Sequence, residues 1–153
     1  MFDWNEDEET NFYKNNIERI AKKLGVIEGA KEYIDKLHDD GHIICIITGR
    51  DNGEYTEPYN MTKKWLEDNS IYYDNLILTD AYDKHAKTKQ CLEHNIDIMI
   101  DDSVRICSDC IENGITTILM DTPYNKYSKI QRVKSWKEFY RYVSVSYTHL
   151  RAH

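Results

Sequence analysis

The chain has 153 residues, with 20 Lys and Arg against 27 Asp and Glu and a formal charge of -7. At 41% hydrophobic and 31% charged it is neither disordered nor low-complexity, and its length suits one domain with a sizeable core. No apolar run approaches the ~18 residues of a membrane span, the acidic start MFDWNEDEET is no secretory signal, and the acidic balance argues against nucleic-acid binding.

The stretch Glu9 to Lys23 carries Phe12, Ile17 and Ile20, with Leu24 just beyond, near helical spacing behind an acidic start. It predicts a surface helix with a favourable dipole. A second helix is expected from about Glu28 to Asp39, with Ala30, Tyr33, Ile34 and Leu37 on one face and Gly41 at the C′ position. The run Ile43 to Ile47 is apolar without alternation and rich in β-branching, which predicts a strand buried on both faces of a parallel sheet. The pattern then repeats. Leu76 to Leu78 follows a helix from Met61 to Asn69, and Ile98 to Ile100 follows one from Lys84 to His94. Thr117 to Met120 follows one from Val104 to Asn113. Ser135 and Glu138 form a capping box that opens a last helix to about Tyr142. Strands alternating with helices predict an α/β fold, a Rossmann-like parallel sheet with helices on both faces. Residues 144–153 show no useful period and read as an appended, non-native tail outside the fold.

Ligands of an open parallel sheet sit at the carboxyl ends of its strands. Here those ends carry Thr48-Gly49-Arg50, Thr79-Asp80, Asp101-Asp102-Ser103 and Asp121-Thr122-Pro123-Tyr124-Asn125. Lys84, Lys87 and Lys89 lie near the start of the helix before the third strand. A hydroxyl, a lysine and paired carboxylates at one edge form a phosphate-plus-metal constellation. Thr48 can donate to a phosphate oxygen, the backbone of Gly49 can approach one closely, and Arg50 can pair with one bidentately or serve in a structural ion pair. Asp101 and Asp102 offer hard oxygens that suit Mg²⁺. A strand ending in Asp-Asp is also a common helix N-cap, for which Asp102 and Ser103 are both candidates.

The order of these residues, strand-Thr, then Lys, then strand-Asp-Asp, excludes a receiver domain, whose acidic pair comes first. Neither G-x-x-x-x-G-K-[ST] nor G-x-G-x-x-G occurs. The order resembles that of the haloacid dehalogenase-type phosphohydrolases. More narrowly, the chain resembles the cytosolic 5′-nucleotidase (deoxy, pyrimidine, type C)-like branch over roughly Phe2 to Tyr142. The marks are Phe2-Asp3-Trp4-Asn5, Gly41-His42, Ile47-Thr48-Gly49-Arg50, Lys64-Trp65-Leu66, Ile100-Asp101-Asp102-Ser103 and Tyr124-Asn125. The resemblance implies a Mg²⁺-dependent phosphomonoesterase of 5′-nucleotidase type, cytoplasmic, acting on a small phosphorylated substrate such as a (deoxy)nucleoside monophosphate. Thr48, Lys87 and Asp102 would be catalytic. Thr48, Gly49, Arg50 and Lys87 would bind substrate, and Asp101 and Asp102 would bind metal, with Lys84 the alternative to Lys87. Residues 1–28 would be the remnant of a helical cap, and residues 29–143 the α/β core.

One departure is large. The family's first motif, a strand ending Asp-x-Asp, should precede Thr48, and no Asp-x-Asp occurs there. In the family the first of those acids attacks phosphorus to form an aspartyl-phosphate, and the second is general acid and base. The expectation is a sheet without its first strand, an N-terminally truncated copy with Met1 an internal methionine, and a chain that is inactive as it stands. The alternative is a non-catalytic phosphate-binding or structural fragment.

Other residues have plainer readings. The four Cys read as reduced cytosolic thiols. Cys107 and Cys110 have C-x-x-C spacing, but lie inside a helix instead of at its N-terminus, and no second pair completes a zinc site. Cys45 and Cys91 read as core. The six His are scattered, with His38 and His42 flanking one helix end and His85 and His94 flanking another helix, so no metal is assigned to them, and Tyr55 and Tyr59 read as packing or edge residues more than as a base-stacking platform.

Overall fold

The computed structural model describes residues 28–49 and 57–152, without the side chains of 148–152. The expected first helix, Arg50 and Tyr55 lie outside the described residues.

Helix α1 spans Ala30–Asp39 and buries Ala30, Ile34 and Leu37, one face at i, i+4 and i+7. It ends in a Schellman turn: Gly41 has φ +96°, its N–H donates to His38, and the N–H of His42 donates to the Leu37 carbonyl. Strand β1 is Cys45–Thr48 and helix α2 is Pro58–Asp68, with Pro58 opening the first turn where its missing N–H costs nothing. Strand β2 is Asn75–Leu78, helix α3 Ala86–Glu93 and strand β3 Ile98–Asp101. Helix α4 is Val104–Glu112, strand β4 Thr116–Met120, strand β5 Arg132–Val133 and helix α5 Trp136–Ala152. After α2, α3 and α4 the apolar residue that leads towards the next strand donates its N–H back into the helix, Ile71 to Leu66, Ile96 to Cys91 and Ile115 to Cys110.

All strand pairs are parallel, as the alternating pattern predicts, but they fall into two sheets. β1 pairs with β2, Thr48 opposite Leu78. β4 pairs with β3 on one side, Asp101 opposite Leu119, and with β5 on the other, Met120 opposite Val133. The two sheets share their flanking helices. On one face Leu37 of α1 and Phe139 and Val143 of α5 gather Ile44, Ile98 and Ile100, and Ala30, Ile34 and Leu66 gather Ile44 and Ile46. On the other face Cys91 of α3 and Cys110 of α4 pack with Met99, and Ile47 joins them. The division between sheets therefore falls between β1 and β3, inside one helical sandwich.

This division corrects the expectation that the first strand run is buried on both faces. Every residue of β1 is half-buried, Ile43 lies outside the strand at 76% exposure, and Cys45 is half-buried instead of core. β4, flanked by a strand on each side, has Ile118 and Leu119 at 0%. Among the described residues β1 has one strand partner and β4 has two. Two further corrections concern the C-terminal part. β5 was not expected, and α5 does not stop near Tyr142 but continues to Ala152. Val143 is buried against Ile118 and Val133 in the main core, so the helix has a packed reason to run past that point. At its start Ser135 Oγ accepts from the N–H of Glu138, but the Glu138 carboxylate reaches the N–H of Lys134, one residue beyond a standard capping box.

Candidate functional site at the carboxyl edge

Thr48 is the last residue of β1 and Asp101 the last of β3. The carboxyl ends of both sheets face the same side, because a chain of contacts joins them. An added Cβ at Gly49 would stand 3.0 Å from Ala81 Cα, so glycine is what lets the segment after β1 approach the segment after β2. The Ala81 carbonyl in turn accepts from the Arg105 guanidinium, 3.2 Å away, in the first turn of α4 after β3. Thr48 is half-buried, and its carbonyl accepts from the N–H of Thr79 at 2.9 Å.

Lys87 projects from the first turn of α3. Its Nζ lies 2.6 Å from Asp101 Oδ2, and the two side chains are only 14% and 9% exposed. Asp101 Oδ1 accepts from the N–H of Ser103 at 2.9 Å, so both its oxygens are engaged. Ser103 is the N-cap of α4, its Oγ accepting from Ile106, which leaves Asp102 out of the capping role. Lys84 is exposed and lies before α3.

Asp102 is exposed and is held from the loop after β4. The Tyr124 hydroxyl donates to Asp102 Oδ2 at 2.6 Å, and Asn125 Nδ2 donates to the Asp102 carbonyl at 3.0 Å. Asn125 is 1% exposed. Its Nδ2 also donates to the Met120 carbonyl, and its Oδ1 accepts from the N–H of Thr122 and from Arg132. Arg132, from the short β5, also binds Asp121 Oδ1 at 2.6 Å and the carbonyls of Asn125 and Ser128. Hydrogen bonds from Lys126 and Arg132 hold the Asp121 carboxyl below the usual carboxylate range. Asp121, which directly follows β4, is thus taken up in holding its own loop.

Asp101 and Asp102 supply two hard oxygen donors of the kind Mg²⁺ takes while keeping several waters. Among the described residues no group of three or more His, Cys, Asp and Glu comes together, so these two carboxylates are the donors on offer. They fit part of a Mg²⁺ shell.

Sequence reasoning passed over Asp109. It is 4% exposed on α4, accepts from Thr88 Oγ1, and has its other oxygen 2.7 Å from His85 Nδ1. It ties the first turn of α3, and hence the backbone that carries Lys87, to α4. A usable signal was there: an acid set between two buried residues, Cys107 and Cys110, on a helix whose neighbour offers a Thr. Thr88→Val removes one donor from a buried carboxylate, and should lower stability by about 1–3 kcal/mol. Urea melts of the two proteins measure it; an unchanged midpoint would show that water replaces the hydroxyl.

Cys91, Cys107 and Cys110 are buried, and the hydrogen bond from Cys91 lowers Cys110 to about 7. Cys107 is fully buried and pushed up to about 12, by burial first and then by the nearby Asp101 charge. The hydrogen bond to Cys110, with burial, also pushes Cys91 up. Tyr59 is exposed on α2. Among the described residues no helix is long and apolar enough to cross a membrane.

Residues 4–149 match the family model described as 5′ nucleotidase, deoxy (Pyrimidine), cytosolic type C protein. A Bacillus subtilis (strain 168) protein named "Putative nucleotidase YqfW" is 28% identical, over 98% of this chain and 72% of its own length. A second "Putative nucleotidase", from Halalkalibacterium halodurans, is 29% identical over 88% of this chain and 63% of its own. A Chlorobaculum tepidum protein named "Putative 5'(3')-deoxyribonucleotidase" is 27% identical over 79% of this chain and 56% of its own. The chain thus spans between about half and three quarters of the relatives it matches.

Proposed function

Because the chain belongs to the cytosolic type C 5′-nucleotidase (deoxy, pyrimidine) family, we propose that its carboxyl edge is the phosphate-and-metal half of a phosphomonoesterase site. The substrate is a small phosphomonoester, a (deoxy)nucleoside monophosphate by family, and the setting is the cytoplasm. Thr48 donates to a phosphoryl oxygen, the Gly49 backbone and Arg50 bind beside it, and Lys87 neutralises its charge. Asp101 and Asp102 hold Mg²⁺, which when bound stabilises charge on the transferring phosphoryl group.

The observation that carries this reading is the enclosed Lys87–Asp101 pair. A buried ion pair adds little to stability, since an apolar pair of the same volume often does as well. Placed at the mouth of a parallel strand beside a second carboxylate, its use is chemical. Without ligands the two charges neutralise each other. A phosphate dianion competes with Asp101 for the ammonium, and a divalent cation competes with Lys87 for the carboxylate. Each ligand therefore frees a partner for the other, and their binding should be coupled.

Calorimetric titration with inorganic phosphate tests this. The 153-residue protein should bind phosphate several-fold more tightly with Mg²⁺ present, and Lys87→Met should weaken binding about tenfold or more. Phosphate binding indifferent to both Mg²⁺ and Lys87 would end the reading. The second reading, a phosphate-binding fragment without catalysis, is favoured by one fact: no Asp-x-Asp occurs anywhere in the 153 residues.

A further inference from the structure

We propose that Tyr124 is a positioning residue for Asp102, holding one carboxylate oxygen so that the other is presented to a divalent cation; this rests on the metal reading above. The two acids are secured unequally. Asp101 is fixed on both oxygens, by Lys87 and by the N–H of Ser103. Among the described residues the Tyr124 hydroxyl gives the one side-chain hydrogen bond to the Asp102 carboxylate. The ring of Tyr124 does not explain its place by packing, since the residue is 67% exposed.

What places it is the neighbouring residue. Asn125 spends both amide hydrogens and its oxygen on four contacts, to the Asp102 and Met120 carbonyls, the Thr122 N–H and Arg132. The loop is thereby fastened to the main chain of Asp102, and Tyr124, one residue earlier, is carried over that residue's side chain. An exposed carboxylate without the Tyr124 bond would sample several rotamers, and a cation would have to order it on binding. With the bond, the ordering is already done.

The test is carboxylate ¹³C NMR of the full 153-residue protein titrated with Mg²⁺ alone, for the wild type, Tyr124→Phe and Asp102→Asn. The Phe variant keeps the exposed ring and loses only the hydroxyl, so its melting should be unchanged. Before metal is added, its Asp102 resonance should shift as the hydrogen bond is lost. Its Mg²⁺ affinity should fall about three- to tenfold, the range of one hydrogen bond, and Asp102→Asn should lose the response. Equal or tighter Mg²⁺ binding in Tyr124→Phe would overturn the inference alone, making the hydroxyl a mere competitor of the cation. No Mg²⁺ response at Asp101 or Asp102 in the wild type would overturn the metal reading and this inference together.

Discussion

The 153-residue chain should hydrolyse p-nitrophenyl phosphate with Mg²⁺ at or near background, and a longer form that adds a parallel strand ending Asp-x-Asp should exceed it by orders of magnitude. The carboxyl edge has a lysine and two acids, but each already has a hydrogen-bond partner. Asp101 is locked against Lys87 and the Ser103 N–H, and Asp102 against Tyr124. None is placed as an activated nucleophile with a base beside it. Electrostatic stabilisation without a nucleophile leaves attack to water, unassisted by an acid and base. An aspartate at the end of a strand set between β1 and β3 would arrive between Thr48 and Asp101, the two strand-end residues that flank that gap. In the longer form Asp101→Asn should abolish the gain, because Lys87 would lose its counter-charge and the metal one of its two donors. Robust, Mg²⁺-dependent hydrolysis by the 153-residue chain itself would show that a nucleophile other than Asp-x-Asp is at work.

The legible part of the fold was the part written in local periodicity. Ala30, Ile34 and Leu37 marked the buried face of α1, Gly41 its end, and the β-branched runs marked four strands. The strand ends then located Thr48 and Asp101, and the family resemblance put Lys87 before Lys84. What stayed hidden depends on partners distant in sequence. β5 is two residues long, too short for any pattern, and is held in place by Arg132 reaching Asp121 and Asn125. The separation into two sheets has no sequence sign in β1, whose residues are as apolar as those of a fully enclosed strand. The continuation of α5 rests on Val143 meeting Ile118 and Val133, contacts no local rule foresees. Asp109 was passed over because its partners are distant in sequence, Thr88 on α3 and His85 at its N-cap.

Filling the gap between β1 and β3 should also change stability more than any single substitution in this protein. The inner sides of both strands are under-buried for a parallel sheet. Every residue of β1 is half-buried, and in β3 only Met99 is fully enclosed, whereas β4 between two neighbours buries Thr117, Ile118 and Leu119. The apolar clusters already present name the strand that would fit. It would meet Ile44, Ile46, Ile98 and Ile100 on one face and Ile47 and Met99 on the other, so it must be apolar on both faces, and parallel like the rest. Each large side chain it buries contributes ~1.5–3 kcal/mol, and it gives the facing backbone groups of β1 and β3 hydrogen-bond partners. A gain on the order of 5 kcal/mol or more is comparable with the whole ~5–15 kcal/mol stability of an ordinary domain. Closing the gap by pairing β1 directly with β3 would bring Thr48 and Asp101 one strand spacing, about 4.8 Å, nearer than a three-strand arrangement allows. The described residues show no such pairing. Inner edges without a partner would also invite strands from other molecules. The 153-residue protein should therefore melt in urea at a low midpoint with a shallow slope, and should aggregate more as its concentration rises. The longer form should melt later, more steeply and independently of concentration, since the slope grows with the surface exposed on unfolding. Equal midpoints and equal slopes for the two forms would mean that the edges of β1 and β3 are already satisfied without an added strand.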